Sequence, residues 1–146
     1  MKALTILLAE DNPDHAELMT DTLTDFNPEN VVVRVSDGEQ LLQYLRKQPP
    51  FDTADYPVPD LVLLDLKMPK MDGMSALNII KKDEKLKSFP LLVVSTSSAE
   101  HEILNSFELG ANSYITKPLN FEDFSKKIRN LNKYWIQTSE TPKLDA

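Results

Sequence analysis

Short apolar runs alternate with longer amphipathic segments along most of the chain. This alternation is typical of repeated βα units, which assemble into a parallel sheet that is covered by helices. The runs that predict strands cover residues 4–9, 31–35, 61–64, 91–94 and 114–116. The third and fourth runs are continuously apolar, as expected for central strands that are covered on both faces. The pattern predicts five βα units in a three-layer α/β fold.

The first two helices are predicted from capping residues and apolar stripes. Asn12 caps the first helix, and Pro13 takes its first helical position. Proline is tolerated there because the N–H of that position makes no hydrogen bond within the helix. The inward stripe of this helix comprises Ala16, Met19, Leu23 and Phe26. Asp37 and Gln40 resemble a capping box that opens the second helix. That helix is expected to bury Leu41, Leu42 and Leu45.

Three further helices are predicted over about residues 73–82, 99–109 and 121–135. The last has an inward stripe that we expect to pack in the core, formed by Phe121, Phe124, Ile128, Leu131 and Trp135. Residues 48–59 hold four of the ten prolines. Because proline interrupts helices and central strands, this segment is predicted to be a surface loop.

Composition and charge narrow the possible functions. A chain of 146 residues with a formal net charge of -7 fits one α/β domain, and its acidity disfavours binding to nucleic acid. It has no cysteine, which excludes disulfides, thiolate metal sites and a cysteine nucleophile. No signal-peptide pattern or apolar run of membrane-spanning length is present. We therefore expect a cytoplasmic protein with neither a membrane nor a nucleic-acid partner.

Acidic residues follow two of the predicted strands. Glu10 and Asp11 directly follow the first strand, and Asp65 directly follows the third. In a flavodoxin-like sheet of order 2-1-3-4-5, these strands are neighbours at the switch point where ligands bind. Three converging carboxylates repel one another unless a cation or a basic side chain compensates. Oxygen ligands of this kind suit Mg²⁺, which is the predicted cofactor.

A lysine follows the last predicted strand. Lys117 precedes Pro118, which stiffens the turn, so its ammonium is expected over the same crevice. Its predicted role is to pair with Asp65 and later with phosphoryl oxygens. The two histidines, His15 and His101, are expected to face solvent.

Four features in this order, each at a strand end, together resemble the receiver domain of two-component response regulators. They are Glu10-Asp11, the run Asp65-Leu-Lys-Met-Pro-Lys-Met-Asp-Gly73, Ser95 and Lys117-Pro118. The resemblance covers about residues 3–135. It implies a receiver domain over residues 1–136 and a tail over residues 137–146 that is too short for an output domain.

The resemblance assigns roles to individual residues. Asp65 would be the nucleophile that accepts a phosphoryl group, Asp11 a direct Mg²⁺ ligand and Glu10 a ligand mainly through water. The backbone carbonyl of Lys67 would complete the protein ligands. The chain would catalyse its own phosphoryl transfer and slow dephosphorylation, and would not be a turnover enzyme.

Two further residues correspond to the conformational switch of the family. Ser95 stands where the family has a hydroxyl that turns towards the attached phosphoryl group. Tyr114 stands where it has an aromatic ring that fills the space left behind. The resemblance therefore implies that the phosphoryl group is reported by a movement near these two residues.

The resemblance also implies partners. The Pro-rich loop and the aromatic pair Tyr134-Trp135 resemble stand-alone regulators that are paired with phytochrome-type histidine kinases. The expected donor is a sensor histidine kinase, and the expected output is protein contact. We predict a symmetric homodimer through the fourth helix, fifth strand and fifth helix, anchored by Trp135 and strengthened by phosphorylation. The alternative is that Trp135 closes the core beneath the first strand or helix.

Three other functions fit these residues less well. A haloacid-dehalogenase-type phosphatase needs a second acid two residues after its nucleophile, where this chain has Lys67. A flavin or nucleotide binder is expected to have a glycine-rich loop that binds phosphate. The chain has only three glycines, which disfavours this function. A receiver-like scaffold that is not phosphorylated remains the main alternative, and the complete set of site residues argues against it.

Overall fold

The structure is a computed structural model, and it describes residues 3–131. Within this range the elements are β1 (Thr5–Ala9), α1 (Pro13–Phe26), β2 (Val31–Val35), α2 (Gly38–Leu45), β3 (Leu61–Leu64), α3 (Gly73–Lys82), β4 (Leu91–Ser95), α4 (Glu100–Glu108), β5 (Ser113–Thr116) and α5 (Phe121–Leu131). Neighbouring strands are parallel, in the order β2-β1-β3-β4-β5. The predicted fold class and strand order are confirmed.

Alternate residues of the strands face two separate cores. Ile6 and Leu8 of β1 pack in the core that includes α1 and α5, while Leu7 and Ala9 pack in the core that includes α2 and α3. The central strands β3 and β4 are buried along their whole length. This period of two is that of a pleated strand with apolar layers on both faces. The sheet is therefore the middle layer of three.

The helices begin at their predicted caps. Asn12 accepts hydrogen bonds from the first turn of α1, and Asp37 accepts one from the Gln40 N–H at 2.8 Å. The Gln40 side chain, however, accepts from the Ser36 N–H instead of the Asp37 N–H. The reciprocal bond of the capping box is thus made to the N–H of the residue before the N-cap. As predicted, α2 buries Leu41, Leu42 and Leu45.

Two of the predicted stripe residues are not buried. The stripe residues that are buried in the core are Ala16, Met19, Leu23, Phe124, Ile128 and Leu131. Phe26, the last residue of α1, is only half-buried. Phe121 is 53% exposed, so its assignment to the core was wrong. It is the first residue of α5, and its ring meets the His15 ring edge-on at 6.2 Å instead of entering the core.

The predicted end of the last helix, with Tyr134 and Trp135, lies outside the described residues, and so does the tail over residues 137–146. Across residues 3–131, no helix combines the length and the apolar character needed to cross a membrane.

Two glycines allow close backbone contacts around the loop that follows β3. A Cβ on Gly73 would overlap the carbonyl oxygen of Asp65, and a Cβ on Gly38 would overlap that of Met71. The Gly73 N–H donates to the Leu66 carbonyl at 2.8 Å, and the Gly38 N–H donates to the Met71 carbonyl at 2.9 Å. The absence of a side chain at both positions is what lets this loop hold the backbone of Asp65.

The Pro-rich segment between α2 and β3 is a loop, as predicted, and most of its residues are exposed. Tyr44 of α2 anchors it, because its hydroxyl donates to the Pro57 carbonyl at 2.7 Å. The rings of Phe51 and Tyr56 lie 5.2 Å and 5.9 Å from the Tyr44 ring. Burial raises the pKa of Tyr44 to about 12, so the hydroxyl stays a donor.

Candidate functional site

Three carboxylates converge at the carboxyl ends of β1 and β3. Glu10, Asp11 and Asp65 each offer one oxygen, and these oxygens lie within 4.8 Å of one another. Glu10 and Asp65 are buried, whereas Asp11 is exposed. The Asp65 N–H donates to the Ala9 carbonyl at 2.9 Å, which aligns the two strand ends. This cluster could hold a divalent metal ion, as the sequence predicts.

The electrostatics of the cluster also fit a cation. The pKa of Glu10 is raised to about 7, mainly by burial and then by the hydrogen bond and negative charge of Asp65, against the opposing effect of Lys117. The buried carboxylate is therefore poorly stabilised by the side chains alone. A hard divalent ion among three carboxylate oxygens would supply the missing positive charge.

Lys117 lies buried after β5 and contacts both buried carboxylates. Its Nζ bonds to Glu10 Oε1 and, at 3.3 Å, to Asp65 Oδ2. The predicted pairing with Asp65 is present, but Glu10 is the closer partner. The Lys117 N–H donates to the Ser95 carbonyl at 2.7 Å, which fixes the lysine to the end of β4.

The prediction that His15 faces solvent was wrong. His15 is half-buried, and its Nδ1 lies 3.1 Å from Lys117 Nζ. Its ring meets the Phe124 ring edge-on at 5.5 Å. The signal for this contact was its position in the first turn of α1, which begins directly after the acidic pair at the end of β1. His101 is exposed, as predicted.

Ser95 and Tyr114 both bond to the loop between β4 and α4. Ser95 is buried, and its hydroxyl accepts from the Ser97 N–H at 3.2 Å. The Tyr114 hydroxyl donates to the Ser97 carbonyl at 2.7 Å. Among the described residues, the hydroxyl of Ser95 makes no hydrogen bond to Asp65. The two predicted switch residues therefore share the backbone of Ser97 instead of contacting the acidic cluster.

Arg34 is a site residue that the sequence analysis missed. Its Nε donates to the Glu10 carbonyl at 2.9 Å, and its Nη2 donates to the Asp11 carbonyl at 3.0 Å. Arg34 pairs with Leu8 in the sheet, two residues before Glu10. The strand register could have found it, because β2 runs beside β1 with its carboxyl end at the same edge.

The segment that joins β3 to α3 contains the predicted ligand Lys67 and the residue Asp72. Lys67 lies beside Asp65, since its N–H donates to Asp65 Oδ1 at 3.3 Å. Asp72 caps α3 by accepting from the Ser75 N–H at 2.8 Å, so its role is structural.

Comparison with known proteins shows to which family this chain belongs. The family model of the response regulator receiver domain matches residues 6–129. The chain belongs to that family. It is a response regulator that takes part in two-component phosphorelay signalling, in which receiver domains interact with histidine kinases.

Individual relatives agree with this assignment. The chain is 34% identical to the probable methanogenesis regulatory protein FilR2 of Methanothrix harundinacea, over 94% of this chain and 86% of that protein. It is 33% identical to response regulator Rcp1 of Synechocystis sp., over 94% of this chain and 92% of that protein.

Solved structures are similar over nearly the whole length. The phosphorylated cyanobacterial phytochrome response regulator RcpA has a TM-score of 0.91 and 36% identity, over 97% of this chain and 100% of that one. The Mn²⁺-bound form of Rcp1 has a TM-score of 0.90 and 32% identity, over 96% of this chain and 99% of that one. A relative of this chain thus binds a divalent metal.

Proposed function

We propose that Asp65 accepts a phosphoryl group from a histidine kinase, at an Mg²⁺ site formed by Glu10, Asp11, Asp65 and the carbonyl of Lys67. The observation that carries this proposal is the buried ammonium of Lys117 between the Glu10 and Asp65 carboxylates. A scaffold that is never phosphorylated would have no need for a buried charge cluster, which is costly to desolvate.

In the proposed reaction, a carboxylate oxygen of Asp65 attacks phosphorus and forms a P–O bond. The P–N bond to the kinase histidine breaks, and the imidazole keeps the electron pair. Both Asp65 oxygens are oriented beforehand, Oδ1 by the Lys67 N–H and Oδ2 by Lys117. Mg²⁺ held by Glu10, Asp11 and Asp65 would supply neutralising charge for the phosphoryl oxygens. Lys117 then donates to those oxygens and stabilises the charge that they carry.

The attached phosphoryl group would act on the loop that Ser95 and Tyr114 hold. It carries about -1.5 to -2 charge and three strong acceptors, so the Ser95 hydroxyl can leave Ser97 and donate to it. Because Tyr114 bonds to the same Ser97 backbone, a change at Ser95 is passed to β5 and the start of α4. The signal then leaves through protein contact at this face.

The decisive test is labelling of Asp65. Intact-mass spectrometry after incubation with acetyl phosphate should show one added phosphoryl group in the presence of Mg²⁺, little with EDTA, and none in Asp65→Asn. Asp52→Asn, which changes an exposed aspartate of the Pro-rich loop, is the matched control and should be labelled like wild type. Full labelling of Asp65→Asn would refute the assignment of the phosphoacceptor.

The partner is proposed to be a phytochrome-type histidine kinase in the cytoplasm. The similarity to RcpA, which is a phytochrome response regulator, supports this choice over other sensor kinases. The acidic charge of the chain argues against nucleic acid as a partner. The receiver domain is proposed to cover residues 1–136 and to pass the signal on through its own surface.

A homodimer through α4, β5 and α5 is part of the proposal. Leu104 is 58% exposed and Phe107 is 48% exposed on α4, and large apolar groups that are exposed together mark interfaces. Sedimentation with Mg²⁺ and beryllofluoride should show a dimer in wild type that Leu104→Ser weakens. Val31→Ser removes a similarly exposed side chain from β2 and should leave the dimer intact. A wild type that stays monomeric with the phosphate mimic would refute the dimer.

A further inference from the structure

His15 occupies a position at the site that the reaction described above does not use. It belongs to α1, yet its Nδ1 lies 3.1 Å from Nζ of Lys117, which follows β5. The two residues are separated by 102 positions in the chain, and the packing of α1 against α5 helps to bring them together. The ring is held edge-on against Phe124, which is fully buried, and against Phe121.

The direction of this hydrogen bond is fixed by chemistry. An ammonium group has three donors and no acceptor, so Nδ1 of His15 must accept. The imidazole is therefore neutral, with its proton on Nε2. Burial, followed by the positive charge of Lys117, lowers the pKa of His15 and keeps the ring in this form.

Lys117 thus has one acceptor for each of its three protons: Glu10 Oε1, Asp65 Oδ2 and His15 Nδ1. The two carboxylates also belong to the proposed metal site. The imidazole is neutral, unlike a carboxylate. It therefore accepts a hydrogen bond from Lys117 without neutralising the positive charge of the ammonium, which remains available to the phosphoryl group. It can keep one N–H in place while the other two turn towards phosphoryl oxygens.

We propose that His15 is a positioning residue for phosphoryl transfer, because its Nδ1 accepts a hydrogen bond from Lys117 and holds the ammonium beside Asp65. This inference rests on the proposed role of Asp65. It adds a residue of α1 to the group that controls how fast the site is phosphorylated.

Two substitutions test separately the hydrogen-bond acceptor of His15 and its aromatic ring. His15→Asn keeps an acceptor at the distance of Nδ1 from the backbone and removes the ring. His15→Phe keeps a ring against Phe124 and removes the acceptor. Both variants are first checked for folding by thermal denaturation, and the rate of Asp65 labelling by acetyl phosphate and Mg²⁺ is then measured.

His15→Phe should be labelled about tenfold more slowly than wild type, the size of one hydrogen bond to a charged group, and His15→Asn should stay within about threefold of wild type. The ¹⁵N shift of Lys117 Nζ in the metal-free protein should change in His15→Phe and remain close to wild type in His15→Asn. This second readout reports the contact without any phosphorylation.

The outcomes distinguish this inference from the proposed function. If His15→Phe reacts as fast as wild type, or if His15→Asn reacts as slowly as His15→Phe, the role of the acceptor is refuted while Asp65 remains the phosphoacceptor. If wild type is not labelled on Asp65 at all, the proposed function fails and this inference fails with it.

Discussion

The β3–α3 and α4–β5 regions lie on neighbouring parts of the fold and are packed very differently. All residues of β3 are buried, and α3 buries Gly73, Ala76, Leu77 and Ile80. By contrast, β5 is half-buried along its length, and Ser106 is the one residue that α4 buries. Glu102 of α4 also has a buried Oε2 without a hydrogen-bond partner among the described residues.

This difference bears on how a phosphoryl group could be reported. Asp65 follows β3, in the tightly packed region, whereas Tyr114 lies in the loosely packed one and Ser95 and Lys117 border it. Elements with few buried contacts open and shift at low free-energy cost. A new charge on Asp65 is therefore expected to leave β3 and α3 in place and to displace α4 and β5.

The largest expected effect comes from truncating one leucine in each region. Leu77→Ala in α3 should lower the free energy of unfolding by about 3 kcal/mol, because it leaves a cavity in the core. Leu104→Ala in α4 should change it by less than about 0.5 kcal/mol, because the side chain is 58% exposed. Urea denaturation measures both. Equal losses would mean that α4 is as much a part of the core as α3.

The second effect concerns the charge buried beside β3. In the metal-free protein the pKa of Glu10 is about 7, above its ordinary 4.5. The folded state therefore retains a proton that the unfolded state releases, and stability falls as pH rises from 4.5 to about 7. At about 1.4 kcal/mol per pH unit, the total loss is about 3 kcal/mol.

Comparison with Glu10→Gln isolates this loss. The lowered pKa of His15 has the opposite sign, since it favours folding as pH rises through 6.5, but both proteins share it. In EDTA, the urea-unfolding free energy of wild type should fall relative to that of Glu10→Gln between pH 5 and pH 8. Curves that stay parallel would contradict the raised pKa.

The smallest effect tests whether the loosely packed region is held by one bond. Tyr114→Phe removes the hydrogen bond to the Ser97 carbonyl and should cost about 1 kcal/mol of stability. Tyr44→Phe removes a bond of the same 2.7 Å length to Pro57 and should cost a similar amount. Hydrogen exchange of α4 should accelerate in Tyr114→Phe alone. Equal acceleration in both variants would indicate a global loss of stability.

Much of the site follows from local sequence rules. The caps Asn12, Asp37 and Asp72 were predictable because each bonds to a backbone N–H within three positions in the chain. The convergence of Glu10 and Asp65 was predictable because parallel neighbouring strands bring their carboxyl ends to one edge. In both cases the residue types and the element order determine which groups meet.

Other contacts depend on how elements are turned against one another. His15 was expected in solvent, because a single polar residue at the start of a surface helix usually lies there, but the rotation of α1 turns it towards Lys117. Phe121 was expected in the core, because it continues an apolar stripe, but it lies at the end of α5. The period of apolar residues shows which face of a helix is apolar. It does not show where along the helix the layer that covers this face ends.

The sequence by itself determined the α/β fold class and placed acidic residues and Lys117 at the ends of strands, since these depend on periodicity and on connections between successive elements. Only the tertiary structure decided that Lys117 lies closest to Glu10, that Arg34 holds the carbonyls of Glu10 and Asp11, and that His15 completes the partners of Lys117. Those contacts are set by side-chain rotamers and burial, and both are properties of the assembled layers instead of any one segment.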